Sequence, residues 1–237
     1  MMLEVETGTD VAAIAVADLS VLEELRSSRG DAFEQQRQAA VEDGRLWRQD
    51  VGADGAYLIH LFVDEDPPEH VAAFLRDPRI LEPFRVRSGS LLVAGEEFVV
   101  TPQPLAKYPH MGREVRVPAG TYKLTAFRVD EAREEWIEEK FAAAVSRGDK
   151  RAWDIGNALP AISAAVTIVA LVVSYLVFTR TASLLLAALP IGIAVLTWGW
   201  QAGFRRSSAY RSAERLYHGL ERELPTVVLV LRTLQAT

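Results

Sequence analysis

The spacing of apolar and polar residues divides this chain into three regimes. Up to about residue 129, short apolar runs alternate with turn residues. Ala12, Ile14 and Val16 alternate within an extended stretch over residues 3–17, and Tyr57 to Val63 is a strong strand. Leu46 to Arg48, Phe84 to Arg87, Leu91 to Ala94, Glu97 to Thr101 and Thr121 to Val129 read as further strands, with Val115 and Val117 leading into the last. Helical periods interrupt them. Leu19, Leu22 and Leu25 share a stripe that Asp18 is placed to cap, and Asp31 with Glu34 predicts a capping box for a helix that Gly44 ends. Pro67 and Pro68 open a short helix through Leu75, closed by Asp77 and Pro78. Residues 102–114, with Pro102, Pro104 and Pro109, read as a loop.

In the second regime polarity almost vanishes. The 25 residues from Ile155 to Thr179 and the 24 from Thr181 to Phe204 carry no charge. At about 1.5 Å per residue each run, as a helix, is long enough to cross a hydrocarbon core of roughly 30 Å. This predicts two membrane-spanning helices, over 157–178 and 182–204, joined by a tight turn at Thr179, Arg180 and Thr181. A buried helical pair in a soluble protein would rarely stay apolar all round for this length. Ser163, Thr167, Ala170 and Ser174 fall on one face of the first span, and Ala188, Gly192 and Gly199 on one face of the second. Small residues let helices approach closely in lipid, so these two stripes are expected to pack together, or one of them against another copy. Pro190 predicts a kink in the second span, and Pro160 falls in the first turn after Asn157.

The third regime is amphipathic and then β-branched. In residues 131–149, Trp136 or Ile137, Phe141, Ala144 and Val145 oppose Glu134, Glu135, Glu138 and Glu139. In 205–224, Tyr210, Ala213, Tyr217, Leu220 and Leu224 form a seam at spacings of three and four. These two helices are expected to pack on each other, or on the sheet, as a stem. After Pro225, residues 226–234 include the run TVVLVLRT, too apolar to stand alone, which predicts a strand returning to the first domain. The expected organisation is therefore α+β: an antiparallel β sandwich or small barrel with helical additions over 1–130, interrupted by a transmembrane hairpin over 155–204.

Charge sets the direction of crossing. Residues 1–149 carry a net charge of −11 and residues 150–237 a net of +5. Lys150 and Arg151 precede the first span, Arg205, Arg206, Arg211 and Arg215 follow the second, and Arg180 alone lies between. The positive-inside rule then makes both termini cytoplasmic and the protein a multi-pass resident of the cell (inner) membrane. Trp153, Trp198 and Trp200, with Arg180, Arg205 and Arg206, are the expected interface residues. The acidic soluble part speaks against nucleic acid as a partner. Met1 to Asp18 shows no basic stretch followed by an apolar run, so no cleavable signal peptide is expected.

Little in the sequence points to chemistry. With no cysteine, thiolate catalysis, disulfides and Cys-based zinc sites are excluded. The patterns GxSxG, GxxxxGK[ST], GxGxxG and HExxH are absent, and neither span has an Asp, Glu, Lys, Arg or His, which argues against transport by the hairpin. His60, Asp64, Asp66 and His70, with Glu65 and Glu69 nearby, are candidate metal ligands for a membrane-tethered hydrolase, although the spacing matches no known ligand pattern. An acidic strand-to-helix turn accounts for the same residues, and no cofactor is implied. The leading expectation is a non-enzymatic membrane-anchored module that binds a protein partner on the cytoplasmic side, with an inhibitory or regulatory role as one version. The alternative is a hairpin that oligomerises and permeabilises the membrane under control of the soluble domain.

Overall fold

Nine strands and eight helices account for most of the residues 1–100, 111–181 and 184–234, which the computed structural model describes. The strands are β1 (Met2–Thr9), β2 (Ala13–Asp18), β3 (Leu46–Asp50), β4 (Gly55–Val63), β5 (Leu75–Val86), β6 (Ser90–Gly95), β7 (Gly112–Arg116), β8 (Gly120–Val129) and β9 (Val227–Thr233). The helices are α1 (Leu19–Arg26), α2 (Asp31–Glu42), α3 (Glu69–Ala72), α4 (Glu97–Val100), α5 (Ala132–Ala144), α6 (Arg147–Thr181), α7 (Leu184–Arg205) and α8 (Ser208–Glu223). The chain divides into two compact units, Met1–Arg133 with Arg222–Thr237, and Glu134–Glu221.

The first unit is an α+β sandwich. One sheet has the order β1-β4-β9-β8-β5 and the other β3-β2-β6-β7. Alternation in each strand sends one set of side chains inward: Val5, Ile59, Leu61, Leu124 and Leu229 from the first sheet meet Ile14, Val16, Leu91 and Val93 from the second. On the outer face of the second sheet, Ala15, Ala17, Leu92 and Ala94 are covered by Val21, Leu22 and Leu25 of α1, Ala40 of α2 and Phe98 and Val99 of α4.

The C-terminal strand β9 lies inside the first sheet, parallel to β4 and antiparallel to β8, with Leu229 opposite both Leu61 and Ala126. Its alternate residues Leu229 and Val228 are both fully buried, which explains why the segment is apolar without alternation. Thr226 fixes the entry of the strand: its N–H and hydroxyl both donate to the Leu58 carbonyl, and its hydroxyl accepts from the Leu58 N–H. The parallel β4–β9 pair departs from the all-antiparallel sandwich expected. A parallel pair needs a crossover connection, and here that connection includes the whole helical unit.

Four local expectations are corrected. Residues 75–86 form strand β5, paired to β8 with two register shifts, and the preceding helix ends at Ala72. Pro78, expected to close that helix, instead lies in β5, an edge strand with a register shift between Arg76 and Arg79, where a missing N–H removes no ladder bond. Residues 97–100 are helix α4 rather than strand, because Phe98 and Val99 bury against the outer sheet face. Gly30, at φ 58°, is the N-cap of α2 without a side-chain cap bond, so Asp31 lies inside the helix rather than forming a capping box. Pro102, Pro104 and Pro109 lie outside the described residues.

Asp18 caps α1 as expected and does more. Its buried carboxylate accepts from the Ser20 N–H (3.0 Å), the Arg87 and Ser88 N–H groups (2.6 and 2.8 Å) and the Ser88 hydroxyl (3.0 Å). Burial raises its pKa, but the hydrogen bonds together outweigh this and hold it below the ordinary 3.8. Such a group contributes stability that is present above the unfolded value and lost as pH falls through the folded one. Asp18→Asn should cost about 1–3 kcal/mol at neutral pH by chemical denaturation, with the difference from wild type shrinking as pH drops below 3.8.

Candidate functional site

Helix α6 is 35 residues long and begins at Arg147, well before the apolar run, so Pro160 lies in its interior rather than in a first turn. Helix α7 follows with Pro190 inside it. Thr179, Arg180 and Thr181 are the last residues of α6, not a turn, and residues 182–183 lie outside the described residues. Among the described residues one helix, Arg147–Arg180, is long and apolar enough to cross a membrane, and only 17% of its apolar window is buried.

The two helices pack through narrow stripes. On α6, of the four residues expected on one face, Ser163, Ala170 and Ser174 are buried and Thr167 is half-buried. On α7 the inward stripe is Ala194, Thr197 and Gln201, spaced three and four apart, with Ala194 and Gln201 buried. The Trp198 indole N–H donates to the Thr167 hydroxyl at 3.0 Å. The expected face of Ala188, Gly192 and Gly199 points elsewhere: Ala188 is exposed, and a Cβ added at Gly192 or Gly199 would meet nothing within 4 Å. Small size drew attention to the glycines, whereas polarity was the better signal. Thr197 and Gln201 have side-chain polar groups in an apolar helix, and such residues turn toward a helical partner.

Among the described residues, most of the large aliphatic side chains outside these stripes are open. Ile168, Val169, Leu171, Leu189, Val195 and Leu196 are between 57% and 73% exposed, while Ser163 is 1% exposed. The pair is thus inverted relative to a water-soluble bundle, with hydroxyls and an amide inside and branched aliphatics outside.

At the other end of the helical unit a stem forms. Ile137 and Phe141 of α5 pack against Ala213 and Leu220 of α8. Trp153 of α6 stacks between Tyr210 and Tyr217, at centroid distances of 5.6 and 4.9 Å. Trp153, expected at the interface, therefore serves as the aromatic wedge of the stem, whereas Trp198 and Trp200 are 48% and 60% exposed. Arg180, Arg205 and Arg206 are exposed. So are Glu134, Glu135, Glu138 and Glu139, which form one acidic face of α5 and enter no ion pair among the described residues.

The candidate metal ligands are not gathered into a site. Asp64 accepts from the Thr233 N–H and hydroxyl, both at 2.7 Å, which lowers its pKa and clips the end of β9. Asp66 pairs with Arg232, and His70 is exposed on α3. Among the described residues no group of three His, Asp or Glu is placed to hold a metal. His60 is 3% exposed, and its Nε2, without a hydrogen-bond partner among the described residues, lies 4.0 Å from the Glu4 carboxylate. Arg222 reaches Glu6 (3.2 Å) and Glu4 (3.7 Å). His60 thus sits where β4 pairs with β1, opposite Glu4, a contact that only tertiary structure could reveal. A surface cavity of about 290 Å³ lies beside α2 over Val41, Leu46 and Trp47, and its two arginines are already paired, Arg37 with Glu34 (2.9 Å) and Arg48 with Glu96 (2.6 Å).

No family model and no curated protein matches the chain. Among solved structures it is similar to one described as crocagin biosynthetic gene J, at 14% identity and TM-score 0.42, covering 57% of this chain and 81% of that one. It is also similar to ComJ, an inhibitor of the DNA-degrading activity of NucA, from Bacillus subtilis, at 12% identity and TM-score 0.33, covering 54% and 81%. Scores this low support no argument about fold or function.

Burial lowers the pKa of His60 from the ordinary 6.5, and Glu4 and the Arg222 carbonyl offset this only in part. The unfolded chain therefore binds a proton at His60 before the folded one does, and stability is lost as pH falls from 6.5 toward the lowered value. Denaturation in detergent from about pH 7.5 down to about pH 5 should show a decline that His60→Leu flattens and His70→Gln does not.

Proposed function

We propose that this chain is a membrane-anchored module in which α6 and α7 cross the bilayer and the β sandwich, on the cytoplasmic side, binds a protein partner in an inhibitory or regulatory role. The observation that carries the anchor is the inverted pattern of the helical pair. Lipid is the solvent in which exposed Ile, Leu and Val cost nothing and in which interhelical hydroxyl and amide contacts are favoured.

Connectivity supports an even number of crossings. β8 precedes the helical unit and β9 follows it, yet the two are hydrogen-bonded neighbours in one sheet. A single crossing by α6 would strand β9 on the far side of the membrane. Passage through α7 returns it. The excess of basic residues beside the domain-proximal ends of both helices favours the cytoplasm as the common side.

For the partner, the support is the acidic α5 face together with the net −11 of residues 1–149. A basic protein surface complements it. A second reading has copies of the hairpin assembling through the open glycine face of α7 and permeabilising the membrane; Gly192, Gly199 and Gly203, each with open space beyond the Cα, favour it. A single-copy mass in nanodiscs and an intact membrane potential on overexpression would contradict that reading.

Alkaline carbonate washing should leave the chain in the membrane pellet, with release only by detergent; recovery mainly in the supernatant would contradict the anchor. Glu134→Lys with Glu138→Lys should lower cross-linked recovery of a partner from native membranes by roughly two- to thirtyfold, at about 0.2–1 kcal/mol for each of the two exposed charge pairs. Unchanged recovery would remove the α5 face from the account.

A further inference from the structure

We infer that the base of the helical pair is a docking surface for anionic phospholipid headgroups, an inference that rests on the membrane reading above. Tyr210 organises this surface. Its ring stacks on Trp153 at 5.6 Å and lies against Gly156, where a Cβ would collide with it. Its hydroxyl donates to Asn157 Oδ1 at 3.4 Å, and the Arg205 guanidinium sits 6.0 Å above the ring. The end of α7, the start of α8 and the Trp153–Asn157 stretch of α6 are thereby held together.

That arrangement collects cations. Lys150 and Arg151 lie within a turn of Trp153 on α6, Arg206 adjoins Arg205, and Arg211 adjoins Tyr210; all are exposed. Across residues 147–154 and 205–215 there are seven basic residues against the three acids Asp149, Asp154 and Glu214, a net of +4. Among the described residues Lys150, Arg151, Arg206 and Arg211 enter no ion pair. Such a collar is left with its charge unneutralised by the protein.

The occupant follows from what borders the collar. On α6 it gives way at once to exposed apolar residues beginning with Ile155, and on α7 it is preceded by Trp200 and Phe204, whose rings are in contact. A phosphate group carried at the head of acyl chains meets both surfaces together, whereas a soluble anion meets only the first. Gly156 is the device that lets the two arms close: a side chain there would displace Tyr210 and with it the seating of Arg205.

The test uses the full chain reconstituted in vesicles of brominated phosphatidylcholine or brominated phosphatidylglycerol, with quenching of the native tryptophan fluorescence as the readout, Trp198 and Trp200 being the exposed reporters. The expected result is an association with the glycerol lipid about fivefold or more stronger than with the choline lipid, the attraction that one surface Lys or Arg supplies, weakening as salt is raised. Arg151→Gln with Arg206→Gln and Arg211→Gln should bring the ratio to about one while quenching by both lipids persists. Equal quenching of the wild type by both lipids overturns this inference and leaves the anchor standing. An absence of quenching by either lipid overturns the anchor itself. A triple variant that keeps the lipid preference but loses an acidic protein on co-purification assigns the collar to that protein and overturns the lipid assignment.

Discussion

The structure depends on where two long helices put their few polar atoms. Ser163, Thr167, Thr197 and Gln201 face the seam between α6 and α7, and the aliphatic side chains face away. In water each exposed Leu, Ile or Val forgoes about 1.5–3 kcal/mol that burial would supply. Ile168, Val169, Leu171, Val172, Leu189, Ile193, Val195 and Leu196 are all more than half exposed. Together they would forfeit more than about 10 kcal/mol, which is the scale of a whole domain's net stability. In the membrane reading proposed above hydrocarbon would remove that cost, and the Trp198–Thr167 hydrogen bond would tie the two helices together.

The sandwich imposes a second constraint on the same helices. β9 is the central strand of a five-stranded sheet and is buried on both faces. Removing it would divide the sheet into β1-β4 and β8-β5 halves, so the first unit is complete only when the chain has passed through the helical unit and come back. The Thr226 hydrogen bonds to Leu58 and the Asp64 clip on Thr233 fix both ends of this returning strand. Placement of the helical unit and completion of the β domain are in this way coupled, since β9 follows both helices in the chain and sits between β4 and β8.

What could be read from the residues follows from which signals are local. The α6 face was legible because Ser163, Thr167 and Ser174 are small and polar at once, so either criterion selects them. On α7 the criteria disagree: Gly192 and Gly199 are small, Thr197 and Gln201 are polar, and polarity decided the face. The run at Thr226–Thr233 was legible as a strand from β-branching, but its direction beside β4 was not, since side-chain alternation is the same in parallel and antiparallel pairs. Pro78 misled because its cost depends on whether the strand is an edge, a property of the whole sheet. Phe98 and Val99 carry strand propensity yet form α4, since the outer sheet face offers them burial as a helix. The pairing of His60 with Glu4 joins positions far apart in the chain and left no mark in the local pattern.

The central claim is that α6 and α7 both cross the bilayer and return the chain to the side it left. Because the chain has no cysteine, a single Arg180→Cys substitution can be labelled without background. A membrane-impermeant maleimide added to intact spheroplasts should label Cys at position 180, whereas Asp54→Cys, on an exposed turn of the β domain, should react only after the membrane is opened. Labelling of both positions only after opening, or of both before it, would contradict the account.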